Sequence, residues 1–151
     1  MTADAARTNA VDLCLKVSHA HASLNLKLDD ELGTFHGLSL QDFILLRLLE
    51  RAEGGRMAVA DLVRPMGMRQ SAVTRQLVLL EKTGRVQREA APAVGDRRHV
   101  LLRPAGRALL GDATATADAV CSRALGGLAA ESLPALDAAL ENLCKTEALA
   151  L

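Results

Sequence analysis

Between residues 65 and 104 the chain changes its hydrophobic period twice, and glycine or proline marks each change. Across residues 70–83, Val73, Leu77 and Leu80 recur on one face of a helix, while Gln70, Ser71, Thr74, Arg75 and Val78 fall on the others. Gly84 stops this helix. Residues 85–89 and 97–103 then read as two short strands, joined by a loop at 90–96 that contains Pro92 and Gly95. Pro104 suits the first turn of a further helix, where its missing N–H has no partner to lose. An amphipathic helix, a hairpin and a new helix follow one another with no room for a larger sheet.

Helical patterns occupy most of the rest. Residues 5–32 read as one long helix, with Leu24, Leu28 and Leu32 at i, i+4 and i+8, a stripe of Val11, Cys14, Leu15 and Ser18 before them, and an end near Gly33. Residues 39–53 form a second, capped by Ser39, with Phe43, Leu46 and Leu49 or Glu50 at helical spacing and Gly54-Gly55 as its stop. A short helix over 59–64 is expected to be truncated or distorted, because Pro65 removes a backbone donor. From Pro104 a helix runs to about 128, with Leu109, Ala113, Ala117, Val120 and Ala124 as its apolar stripe. Ser132 caps a last helix over 134–149, with Leu136, Leu140 and Leu143 inward.

The fold class is therefore mainly α with a small two- or three-stranded wing: a winged helix-turn-helix framed by N- and C-terminal dimerisation helices. The single chain of residues 1–151 divides into a winged-helix lobe at 39–106 and terminal helices at 5–32 and 107–149. Those helices are rich in Leu and Ala, and their apolar faces exceed what so small a lobe can cover. A homodimer would bury them.

Charge points to a partner. Residues 56–107 hold 11 of the 18 Lys and Arg but 4 of the 18 Asp and Glu, so this window carries net +7 and the remainder net −7. A basic module within a neutral chain meets a polyanion. With two Phe and no Trp or Tyr, the chain lacks the stacking platforms of single-strand and RNA binders, whereas duplex grooves need none. Cys14, Cys121 and Cys144 are odd in number and widely spaced, so neither a disulfide framework nor a zinc site is indicated, and buried free thiols are expected. No cofactor motif is present. The N-terminus has no signal-peptide pattern and no run approaches about 18 uninterrupted apolar residues, so a cytoplasmic protein without a membrane partner is expected.

The motifs in the basic window resemble the multiple-antibiotic-resistance-regulator (MarR) family of bacterial transcription factors. Ser71-Ala72-Val73-Thr74-Arg75 is similar to the family's S-x-V-T-R at the start of the recognition helix, and Leu80 to Val86 to its L-E-K-x-G-L-V. Asp96-Arg97-Arg98 is similar to the wing's D-x-R, and Leu102 to Gly106 stands in place of L-T-x-x-G. The resemblance covers nearly the whole chain. It implies a homodimeric regulator, usually a repressor, that binds a palindromic double-stranded DNA operator and is released by a small-molecule effector such as an aromatic acid or phenol.

The same resemblance assigns roles. Gln70, Ser71, Thr74 and Arg75 match groove-facing positions that reach base edges or phosphates. Arg98 matches the wing-tip arginine, a minor-groove probe, with Asp96 holding it through a charge-assisted pair. Arg97 is expected on a phosphate. Arg69 and Arg103 stand where the family has Ser or Thr caps, each worth about 1 kcal/mol, and as arginines they add phosphate contacts. An effector pocket is implied where the first, second and fifth helices meet, with His19, His36 and Arg47 as candidates for holding an anion. Cys14 offers a thiol-based redox alternative, though the peroxide-sensing relatives use tyrosines that this chain lacks. From a different class, a winged-helix module could dock an acidic protein on the same basic face. No nucleophile, base and oxyanion set is present for an enzyme.

Overall fold

The computed structural model describes residues 9–146. Its first helix, α1 (Ala10–His36), is capped by Asn9, whose side-chain oxygen accepts from the Val11 N–H at 3.0 Å. The helix runs through Gly33, the expected stop, and ends at Gly37, which takes the left-handed conformation (φ 62°) and donates to the Gly33 carbonyl at 3.1 Å. Leu38 then folds back into the core. Both glycines tolerate a helix end, but only at Gly37 does the turn place an apolar residue against α1. The expected segments at 5–8 and 147–149 lie outside the described residues.

Helix α2 (Leu40–Arg51) starts as expected at Ser39, and Ser39 and Asp42 form a reciprocal capping box. Strand β1 (Arg56–Ala58) follows and leads directly into α3 (Val59–Met66). Pro65 lies inside α3 rather than ending it. Because it is next to last, it forfeits a single intrahelical bond, to the carbonyl of the solvent-exposed Asp61, and the helix closes one residue later with the Gly67 N–H on the Arg64 carbonyl. Helix α4 (Gln70–Lys82) buries Val73, Leu77 and Leu80, the face expected from their spacing.

The wing comprises β2 (Val86–Glu89) and β3 (His99–Leu102). With β1 they make a three-stranded antiparallel sheet in the order β1-β3-β2, with Val100 opposite both Met57 and Arg88. Both strands are shorter than the sequence pattern implies. Helix α5 (Pro104–Leu125) then starts hard against the sheet: a Cβ at Gly106 would collide with the Arg85 carbonyl oxygen, so glycine is required by the close approach. Leu110, Ala113, Ala117 and Val120 are buried along α5; Leu109 is half-buried and Ala124 exposed, which moves the expected stripe by one residue at its start and shortens it at its end.

The core joins Leu28 and Leu32 of α1, most of α2, the inward faces of α3 and α4, Val86, Val100 and Leu102 of the wing, and α5. The last helix, α6 (Leu133–Lys145), is different. Ser132 belongs to a preceding 3-10 turn and does not cap it, and Leu136, Leu140 and Leu143, expected inward, are exposed in the single chain. Cys14 and Cys144 are likewise exposed rather than buried, and Cys121 is half-buried against the core. No helix among the described residues is long and apolar enough to cross a membrane.

Candidate nucleic-acid interface

Burial of Val73, Leu77 and Leu80 turns the opposite side of α4 outward. Gln70, Ser71 and Arg75 are exposed and Thr74 is half-buried. Arg69 occupies the N-cap position with no side-chain hydrogen bond, and Arg103 does the same at α5, so both expected caps are missing. Across from α4, the hairpin tip turns at Gly95, where the Asp96 N–H donates to the Ala93 carbonyl at 3.2 Å, and carries exposed Arg97 and Arg98 toward β3. The Arg98 carbonyl accepts from the Val59 N–H at 2.9 Å, which fixes this end of the wing to the start of α3.

Helix and wing enclose an open groove of 750 Å³ that Gln70 and Thr74 line from one side and Asp96, Arg97 and Arg98 from the other. Arg69, Ser71 and Arg75 lie outside this lining. Most acids of the basic window are spent on its arginines. Glu81 accepts from both the backbone N–H (2.8 Å) and the Nε (2.7 Å) of Arg88, Glu89 accepts from Arg56 Nε at 2.6 Å, and Asp61 pairs with Arg97. The two hydrogen bonds from Arg88 hold the Glu81 carboxyl below its usual range. Asp96 makes no ion pair with Arg98 among the described residues; the arginine that is held is Arg97, and its partner is Asp61 on α3. These partners are 36 residues apart, so no local spacing signals the pair.

With Arg107 at 3.9 Å from Glu50, four of the 11 basic residues are paired. Arg64, Arg69, Arg75, Lys82, Arg85, Arg98 and Arg103 have no ion-pair partner among the described residues. The free cations thus flank α4 and the wing, the places where a duplex backbone would pass.

A model of the MarR family matches residues 36–99 of the chain. The Mycobacterium tuberculosis MarR family protein Rv2887, solved with p-aminosalicylic acid, is 30% identical over 87% of this chain and 97% of its own, with a TM-score of 0.68. This chain belongs to the MarR family. Other members share the fold: AbsC from Streptomyces coelicolor (25% identity, 91% and 94% of the two chains, TM-score 0.77) and Sco3205 from the same organism, solved in complex with DNA (21%, 91% and 91%, TM-score 0.79). A search of curated proteins returned no match. As a MarR family member with a winged helix, the protein is a DNA-binding transcriptional regulator.

The expected sensing residues of this MarR protein are dispersed. His36, at the end of α1, shares a 2.7 Å hydrogen bond with Thr116 of α5; Arg47 is half-buried on α2; His19 and Cys14 are exposed on α1. None lines the groove or a second cleft of 490 Å³ between α1 and α5, whose walls include Ser23, Leu24, Val120 and two cations, Lys27 and Arg123. Glu31 bridges those cations, accepting from Lys27 at 2.6 Å with Arg123 at 4.0 Å. The Lys27 hydrogen bond is the main reason the Glu31 carboxyl sits below its usual range. Sequence reasoning missed Lys27 and Arg123 because they are 96 positions apart and meet only through the packing of α1 on α5.

Proposed function

We propose that this MarR-family regulator is a homodimeric repressor that binds a palindromic operator through residues 39–106 and dimerises through 5–32 and 107–149. The observation that carries the reading is the single groove between α4 and the wing, which joins Gln70 and Thr74 to Arg97 and Arg98. Thr74, Gln70, Ser71 and Arg75 read base edges in the major groove, Arg98 enters the minor groove, and Arg69 and Arg97 contact phosphates. Asp96 shapes the tip that presents them. Dimerisation is supported by apolar residues on α1 (Val11, Leu13, Leu15) and on α6 (Leu136, Leu140, Leu143), all exposed among the described residues. Two recognition helices related by a dyad would fall about one helical turn of DNA apart.

The effector proposed is an aromatic carboxylic acid, a class supported by the p-aminosalicylic acid bound to the Mycobacterium tuberculosis relative. Lys27 and Arg123 in the cleft between α1 and α5 can hold its carboxylate, with Leu24 and Val120 against the ring. Duplex binding measured against ionic strength tests the core of the reading. Affinity falls by roughly 0.9 log units per log unit of salt for each phosphate neutralised, and a flat dependence would sink it. Release of the duplex by p-aminosalicylate, lost in Arg123→Ala, tests the effector site.

A further inference from the structure

Gln76 is the one polar side chain buried in the core among the described residues, at 9% exposure. It stands on the inward side of α4, directly after Thr74 and Arg75. Its Nε2 donates to Asp42 Oδ1 on α2 at 3.0 Å. The other oxygen of that carboxylate accepts the Ser39 N–H at 3.2 Å, while the Asp42 N–H donates to Ser39 Oγ at 3.0 Å. One residue on, the Leu40 N–H donates to Asp29 Oδ1 of α1 at 2.8 Å. The first turn of α2 therefore ties α1 to the helix that faces the groove.

This is an inefficient way to gain stability. Gln76 Oε1 is buried with no hydrogen-bond partner among the described residues, and an apolar side chain of equal size would escape that desolvation cost. What the amide adds is direction. Val73, Leu77 and Leu80 can slide against their neighbours as α4 turns about its axis, because dispersion contacts have little angular preference. A hydrogen bond to a carboxylate whose other oxygen is already fixed by backbone does not slide. Any turn of α4 that broke it would carry the outer ends of Thr74 and Arg75 sideways across a base edge.

We propose that the Gln76–Asp42 hydrogen bond is a positioning contact that sets the rotation of α4 about its own axis, and with it the sequence discrimination of the protein. This rests on the reading of α4 as the groove-entering helix.

The test uses the full chain and two duplexes of equal length, one selected by the wild-type protein from a random-sequence pool and one scrambled. Gln76→Met, nearly equal in volume, should leave Tm at or above the wild-type value. Its Kd for the selected duplex should rise roughly tenfold, while that for the scrambled duplex, held by phosphates, stays put. Asp42→Ala should lose discrimination by the same factor, and the double variant no more than either. Asp42→Asn should keep it, because the new amide can donate to Gln76 Oε1 while its oxygen accepts the Ser39 N–H. Wild-type discrimination in Gln76→Met overturns the positioning role, as does a drop in Tm matched by equal losses on both duplexes. Should Gln76→Met fail to fold, full discrimination in Asp42→Ala overturns it instead. A wild-type protein that selects no duplex overturns the operator reading and this contact's role with it, and is recognisable because no variant need be consulted.

Discussion

The winged-helix lobe and the terminal helices draw on the same side chains, Leu, Val and Ala, yet the lobe encloses its apolar face while the terminal helices bury only the part that packs on the lobe and leave the rest exposed. In the lobe, Leu45, Leu46, Leu49, Leu62, Leu77 and Val100 are fully enclosed by α2, α3, α4, the wing and α5. On the terminal helices, Leu15, Leu26, Leu136 and Leu140 are exposed among the described residues. Apolar composition thus says that something will be buried, and topology says whether one chain can do it. In the proposed dimer, this exposed apolar face is where a second copy would pack.

The same substitution in each region puts that contrast under the greatest strain. Leu46→Ala should cost about 2–5 kcal/mol, read as a lower denaturation midpoint that does not depend on protein concentration. Leu140→Ala should act through association: sedimentation should show a weakened dimer, and Tm should fall most at low concentration. Equal, concentration-independent losses at both sites would erase the distinction. Gly106→Ala tests the seam between the regions, where α5 leaves the sheet; overpacking against the Arg85 backbone should cost about 1–3 kcal/mol or more.

Smaller effects follow from the charges. Arg98→Ala should weaken operator binding by about 1–3 kcal/mol, seen by fluorescence anisotropy, with the dimer intact in sedimentation. Unchanged affinity would remove the wing tip from the interface. Asp61→Ala frees Arg97 from an exposed pair worth about 0.2–1 kcal/mol. Stability should hardly change, while duplex affinity rises because the Arg97 phosphate contact no longer competes with the Asp61 carboxylate. An affinity that does not rise means that the pair does not hold Arg97 back from the duplex.

The weakest effect is a pH dependence of the wing. Because Arg88 holds the folded Glu81 carboxyl below its ordinary 4.5, the pair contributes stability above that value and loses it as pH falls through the lower folded value. Thermal melts across the acid range should lose part of this dependence in Glu81→Gln; an unaltered profile would show that the clamp contributes nothing.

Local signals in the sequence were legible where a few neighbouring residues settle the outcome. Ser39 marks a helix start, the spacing of Val73, Leu77 and Leu80 specifies the inner face of α4, and Gly84, Pro92, Gly95 and Pro104 bracket the wing. The charge-sorted window and the S-x-V-T-R and D-x-R motifs led from there to the family. Reading failed where distant parts choose between equal local options. Gly33 and Gly37 both permit a helix end, and the burial of Leu38 decides for the second. Strand β1 has three residues and exists only because β3 pairs with it.

The sequence by itself determined the order of the helices and the wing hairpin, the basic face and the residues that α4 and the wing present to solvent, because periodicity and turn chemistry act over a few residues. Only the tertiary structure decided which arginine is neutralised, Arg97 by Asp61 rather than Arg98 by Asp96, and that Gln76 reaches Asp42. The physical reason is one of range: a hydrogen bond or ion pair acts over about 3–4 Å, and nothing in the chain order reveals which side chains dozens of positions apart will come that close.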